Sequence, residues 1–180
     1  MEKFEVRLSG SGGQGLLLAG IILAESGIND GKNAVQTQSY GPEARGGASK
    51  SEVIINTEEI DFPKVRECDI LLALTQKSYE QYNEGLKDSG IMIIDSSVKV
   101  SDVGNVKVYS VPILSTAAEE LKKPMVTNIV ALGAIVELTG IVTKDSLEHA
   151  VLARVPKGTE ELNRKALQRG YEIAIEARKQ

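Results

Sequence analysis

Tryptophan is absent from this chain, and cysteine and histidine occur once each, as Cys68 and His149. A lone cysteine excludes an intramolecular disulfide, a cysteine-rich zinc site and a self-contained iron–sulfur cluster, which takes about four thiolates. One histidine leaves little metal or acid–base chemistry within the chain alone. Aromatic residues make up only 4%, too few for an aromatic-lined pocket. Basic residues are outnumbered, 21 Lys and Arg against 25 Asp and Glu for a formal net charge of −4, the reverse of a nucleic-acid binder. No run supplies the roughly 20 apolar residues of a membrane span. The N-terminal Met1-Glu-Lys-Phe-Glu-Val enters a strand-like alternation with no apolar signal region. The expected location is therefore the cytoplasm, with neither nucleic acid nor membrane as partner.

What is abundant is glycine, 17 of 180 residues, which suits close backbone approaches and loops shaped around a ligand. The length predicts one domain over residues 1–180, since about 150 residues per domain is usual. Residues 4–9 alternate like a strand. Leu16 to Ala24, apolar on nearly every side, reads as a helix ending near Gly27. Residues 33–38 and 51–56 read as strands. Their link, a dozen residues rich in Gly and Pro, is too short for a crossover helix, so the pair is expected to be antiparallel. Asp69–Leu74, Ile91–Asp95 and 106–111 read as strands, with a polar surface helix over 76–88. Thr116 and Glu119 have capping-box spacing ahead of a short helix. An apolar helix is expected over 128–139, closed by Gly140. Thr143 caps the next helix, and a final one spans 160–178 with Leu162, Ala166, Gly170, Ile173 and Ala177 in one stripe. Continuous apolar strands separated by helices predict a Rossmann-like, three-layer α/β/α sandwich with a mixed, mostly parallel sheet.

Gly10-Ser11-Gly12-Gly13-Gln14-Gly15 matches G-x-G-x-x-G between strand and helix, the context that gives the pattern meaning. Glycines let an oxyanion approach the amides, and the helix start presents unpaired N–H groups and partial positive charge. The plain alternative is a tight turn with no ligand. A dinucleotide would want an acid about 20 residues on, at the end of the second strand. That strand ends Val35-Gln36-Thr37-Gln38 without one; Asp30 comes too early and Glu43 lies inside the next loop. A mononucleotide or another pyrophosphate-bearing cofactor fits better. In the second loop, Ser39-Tyr40-Gly41-Pro42-Glu43-Ala44-Arg45-Gly46-Gly47-Ala48, Arg45 sits among small residues and can grip phosphate or carboxylate with two bonds. Tyr40 offers a stacking face, and Lys50 is a weaker candidate that reads as a solvated charge. A flexible hairpin loop with solvated charges is the alternative.

Together the two loops resemble the gamma subunit of 2-oxoacid:ferredoxin oxidoreductases, as do Thr127-Asn-Ile-Val-Ala-Leu-Gly, Pro156-Lys-Gly and Glu161-Leu-Asn163-Arg-Lys-Ala166. The likeness runs from residue 4 to about 175, and the Tyr-Gly-Pro-Glu-Ala-Arg-Gly-Gly run is most like the 2-oxoglutarate branch. The resemblance implies a complex that oxidatively decarboxylates a 2-oxoacid, reduces ferredoxin and releases an acyl-coenzyme A. It implies alpha, beta and in some complexes delta subunits as partners. Thiamine diphosphate, its Mg and the 4Fe–4S clusters would lie in those partners, while this chain helps hold coenzyme A. Gly10, Ser11, Gly12, Gly13, Gln14 and Gly15 would cradle the pyrophosphate. Tyr40, Gly41, Pro42, Glu43, Arg45 and Gly46 would complete the site. Rival expectations are a free-standing nucleotide- or dinucleotide-binding reductase, the small subunit of an indolepyruvate:ferredoxin oxidoreductase, or a scaffold that keeps the loop without a ligand.

Other residues draw attention with plainer explanations. His149 has no carboxylate or nucleophile at informative spacing. Cys68 reads as a small buried hydrophobe. Asp95-Ser96-Ser97 and Thr75-Gln76-Lys77 end strands where α/β sheets place ligands, with helix capping the alternative. The all-round apolar helix near Ile129–Leu138 must be buried in the domain or against another chain. Part of it, or of Leu16–Ala24, is expected to face a partner or a second copy in a homodimer of the isolated chain.

Overall fold

The computed structural model describes residues 2–38 and 47–180. Strand β1 (Lys3–Gly10) runs through the middle of a six-stranded sheet. Helix α1 (Leu16–Asn29) leads from it to β2 (Asn33–Gln38), which pairs antiparallel with β3 (Ser49–Asn56), and β3 pairs antiparallel with β1. On the other flank β1, β4 (Cys68–Ala73), β5 (Leu86–Asp95) and β6 (Lys107–Val111) are successive parallel neighbours. The order β2-β3-β1-β4-β5-β6 is the mixed, mostly parallel sheet expected.

The two faces are unequal because the helices are. Val6 and Leu8 of β1, with Val53, Ile55, Ile70, Leu72 and Ile93, pack under α1, α4 (Thr127–Thr139), α5 (Lys144–Arg154) and α6 (Glu160–Arg178). The alternate residues Ile54, Leu71, Ala73, Met92 and Ile94 meet a thinner layer. It is made by α2 (Gln76–Tyr82) and by Ile60, Val65, Val98 and Val103 from connecting segments. On β1 that thinner face carries Arg7 and Ser9, both buried.

Helix α4 is buried within this chain, one of the two covers its apolar pattern allows, while Leu17 of α1 stays 46% exposed. Every residue from Thr127 to Val136 is buried, and each Ile or Leu so enclosed contributes about 1.5–3 kcal/mol. The cover is α6, which crosses where Gly133 meets Gly170: a Cβ on Gly133 would stand 2.6 Å from the Leu167 carbonyl. Three boundaries also move. Helix α1 runs through Gly27, which leaves room for Ile55, to Asn29. Helix α2 ends at Tyr82, and Leu86 already belongs to β5, because Leu86 is drawn into the thin-face core. Thr116 caps nothing: a helical turn, α3 (Ile113–Ser115), precedes it and runs into a π-helical turn (Thr116–Glu120). Its buried hydroxyl has no hydrogen-bond partner among the described residues. No helix among the described residues is long and apolar enough to cross a membrane.

Candidate functional site

Strands β1 and β4 are adjacent and parallel, yet the helices that follow them leave in opposite directions. Leu16, Ala19, Ile22 and Leu23 of α1 join the thick-face core, while Tyr79 and Tyr82 of α2 join the thin-face core. Divergent connections open a crevice at the carboxyl ends of the two strands, where open α/β sheets bind ligands. The turn Gly10–Gly15 lies there.

Its glycines have separate reasons. A Cβ on Gly10 would overlap the Gln14 carboxamide oxygen, which folds back to accept the Ser11 amide at 2.8 Å. Gly13 (φ 83°) and Gly15 (φ 73°) take left-handed geometry, which side chains resist by roughly 1–2 kcal/mol. Gly15 is further enclosed by Asn128, whose Nδ2 would lie 2.5 Å from an added Cβ. Gly12 has neither constraint: nothing comes within 4 Å of a Cβ there. Ser11, Gly12, Gly13 and Gly15 are exposed. Helix α1 begins with no side-chain cap and no acid in its first turn. Its start thus presents amides and about half a positive charge to the crevice. Gln14 braces the turn, and the remaining backbone is open to an anion.

Three distant stretches converge beside this turn. Asn128 Nδ2 donates to the Gly15 carbonyl at 3.1 Å, a bracing role hidden in sequence inside an apolar helix. Asn128 also lines an apolar cleft of about 210 Å³ together with Leu18, Ile129, Pro156, Leu162 and Asn163. The only sequence signal for this gathering is the set of stretches at 127–133, 156–158 and 161–166.

Tyr40, Gly41, Pro42, Glu43, Arg45 and Gly46 lie outside the described residues. The chain that follows them is firmly held. Gln81 Oε1 accepts the Ala48 amide at 3.2 Å, Tyr82 Oη donates to the Ala48 carbonyl at 3.1 Å, and Gln81 Nε2 donates to Tyr82 Oη at 3.1 Å. Lys50 is not a freely solvated charge. Its ammonium lies 3.1 Å from Glu52 Oε1, the oxygen that also accepts Arg7 Nε at 2.9 Å. Both cations stand over the Tyr82 ring, at 5.5 and 5.8 Å.

The other strand ends are occupied by capping. Asp95 Oδ1 accepts the Leu114 amide at 2.8 Å, and its Oδ2 accepts the Ser97 amide and hydroxyl at 2.9 and 2.6 Å. Thr75 and Ser78 form a reciprocal capping box on α2. Asp30 is engaged by Thr143 and Ser146 at the far end of α1, so no ribose partner stands there. Cys68 is buried beside the Gly85 carbonyl, and burial pushes its thiol up to about 11. His149 is exposed on α5. No three of His, Cys, Asp and Glu gather to hold a metal among the described residues.

Residues 5–173 match the family model described as pyruvate ferredoxin/flavodoxin oxidoreductase. The chain is 54% identical to the 2-oxoglutarate synthase subunit KorC of Methanocaldococcus jannaschii, over 96% of this chain and 94% of that one. It is 50% identical to the crystal structure of a keto/oxoacid ferredoxin oxidoreductase gamma subunit from Geobacter sulfurreducens. That superposition has a TM-score of 0.91 and covers 98% of this chain and 99% of the other. A 2-oxoglutarate:ferredoxin oxidoreductase from Magnetococcus marinus, solved with coenzyme A bound, shares the fold at TM-score 0.86 and 22% identity. There this chain corresponds to 32% of the longer polypeptide.

Proposed function

The chain belongs to the pyruvate ferredoxin/flavodoxin oxidoreductase family, and we propose that it is the gamma subunit of a 2-oxoglutarate synthase that holds part of coenzyme A. In such a complex the bond between the carboxylate and the 2-oxo carbon breaks, CO2 leaves, two electrons pass to ferredoxin, and the acyl group joins the coenzyme A sulfur as the thiol proton is released. The choice of 2-oxoglutarate rests on the identity to KorC subunits along nearly their full length.

The observation that carries the coenzyme role is the exposed Gly12–Gly13 backbone at the start of the uncapped α1, in the crevice between β1 and β4. That arrangement receives a pyrophosphate through several amides at once. Arg45, placed by sequence in the loop that enters β3, supplies a guanidinium for a second phosphate or for the mouth of the partner's active site. This chain contributes binding and positioning. Thiamine diphosphate with its Mg, and the 4Fe–4S clusters, belong to partner subunits in this proposal: one buried cysteine of raised pKa does not fit a cluster. Residues 1–180 act as one domain of a cytoplasmic complex.

Two measurements test this. Native purification followed by mass spectrometry is expected to bring thiamine-binding and cluster-bearing chains with this one. Calorimetric titration of coenzyme A into the assembled complex is expected to show weaker binding for Gly12→Val and Arg45→Ala. Native affinity in both variants refutes the coenzyme role, and turnover by the isolated chain refutes the subunit role.

A further inference from the structure

Lys3 and Asn56 pair where β1 begins and β3 ends, about 23 Å of strand away from the glycine turn. Beside them lies a cleft of about 270 Å³, lined by Glu58, Glu59 and Asp61 from the connection between β3 and β4. All three acids are exposed, and none of their carboxylates has a hydrogen-bond or ion-pair partner among the described residues. The backbone that carries them is held. Asn33 Nδ2 donates to the Glu58 carbonyl at 3.0 Å, and Asn56 Nδ2 to the Glu59 carbonyl at 3.4 Å. Asn56 also lines the cleft and is only 7% exposed, yet its Oδ1 accepts no hydrogen bond among the described residues. Buried acceptors are paired as a rule in folded proteins, and this one sits in the wall of a cleft of carboxylates.

The nearby cations are engaged or line another cleft. Lys3, the one cation in this lining, stands 3.4 Å from Glu5. Lys87 pairs with Glu5 and Asp69, and Lys32 with Glu2. Lys64, Arg66 and Glu67 line the neighbouring cleft and not this one. The three acids thus keep their negative charge here, against a lysine already shared with Glu5. Phe62, 47% exposed, is a wall of both clefts, and its ring already takes one guanidinium, that of Arg66 at 4.8 Å. The carboxylates do not converge on one point as ligands of a metal ion would. Spread acceptors beside an aromatic ring suit a planar cation with several donors, which is an arginine guanidinium rather than a compact lysine ammonium.

We propose that this cleft receives an arginine side chain of a partner subunit, held among Glu58, Glu59 and Asp61 and against Phe62, with one N–H donated to Asn56 Oδ1. The proposal rests on the gamma-subunit reading and adds to it a docking contact at the end of the sheet away from coenzyme A. Charge complementarity of this kind fixes register and excludes wrong partners.

The test puts a photoreactive phenylalanine in place of Phe62 in the assembled complex and maps the cross-linked peptide by mass spectrometry. The expected product is a partner-subunit peptide that contains arginine. Alongside it, tagged wild-type chain and the double variant Glu59→Gln/Asp61→Asn are compared for recovery of that partner. The variant is expected to recover about tenfold less at low salt, with the melting temperature of the isolated chain unchanged, since neither carboxylate has a partner within the described residues. Glu59→Arg/Asp61→Arg, combined with arginine-to-glutamate exchange in the mapped partner peptide, is expected to restore recovery. No cross-link to a partner, a cross-link to a second copy, a partner peptide without arginine, full recovery or a lowered melting temperature in the neutral variant, or a charge exchange that restores nothing overturns the docking proposal. Each of these leaves the subunit reading standing. A wild-type chain that recovers no thiamine-binding chain defeats both.

Discussion

Gly12→Val is expected to separate coenzyme A binding from folding at the glycine turn. A Cβ at Gly12 meets no heavy atom within 4 Å, and the backbone there lies outside the left-handed region. Folding stability should therefore stay within about 0.5 kcal/mol of wild type, as for an ordinary surface substitution. In a chain of this size that is about 1–2 °C in Tm. In the proposed role, the new side chain fills the space through which a phosphate oxygen would approach the amides. Losing one charge-assisted hydrogen bond costs about 1.5–3 kcal/mol, which weakens coenzyme A binding roughly 10- to 100-fold. Gly15→Ala is the matched control. Its φ of 73° and the 2.5 Å approach of Asn128 make it destabilising, by about 2 kcal/mol or more from the backbone and the clash together. The assays are thermal unfolding of the isolated chain and calorimetry on the assembled complex. Gly12→Val binding coenzyme A like wild type, or melting as low as Gly15→Ala, would refute the division of roles within the turn.

Further perturbations probe the frame that holds the turn. Asp95→Ala removes the acceptor of three hydrogen bonds at a buried site and should cost about 2–4 kcal/mol. Coenzyme A affinity per folded complex should stay unchanged; a selective loss of affinity would move Asp95 from capping to the ligand. Gly133→Ala drives a methyl to 2.6 Å from the Leu167 carbonyl and should destabilise by about 1–3 kcal/mol, read as a lowered urea midpoint. Burial alone would raise the Asp30 carboxyl, but hydrogen bonds from Ser146 and Thr143, with Lys32 nearby, hold it below its ordinary value. The stability it lends is present above the unfolded value near pH 4 and is lost as pH falls through the lower folded value. Acid unfolding of Asp30→Asn should accordingly be shallower than that of wild type. Cys68, buried with a thiol near 11, should resist alkylation at pH 8 until the chain unfolds; prompt labelling of native protein would contradict its burial.

Sequence pattern alone determined the strand cores, though not the early start of β5 at Leu86, together with the antiparallel β2–β3 pair, the capping of α5 by Thr143 and the strand–turn–helix context of the glycines, because these depend on residues close together in the chain. The paired loops carried the resemblance to the family for the same reason: each is a contiguous run of residues legible without the fold. Tertiary structure alone decided that α4 is roofed by α6, since an all-round apolar helix says that it is covered and not by what. It also decided that Thr116 lies inside a π-helical turn while Asp95, from another strand, caps the helical start. Only folding brought Asn128, Pro156 and Leu162 to one cleft beside Gly15, and only folding assigned Gly10 and Gly15 to packing while leaving Gly12 open. Local periodicity records how a segment meets its own next turn; which distant surface fills the space beside it is set by the three-dimensional closure of the sheet and its helices.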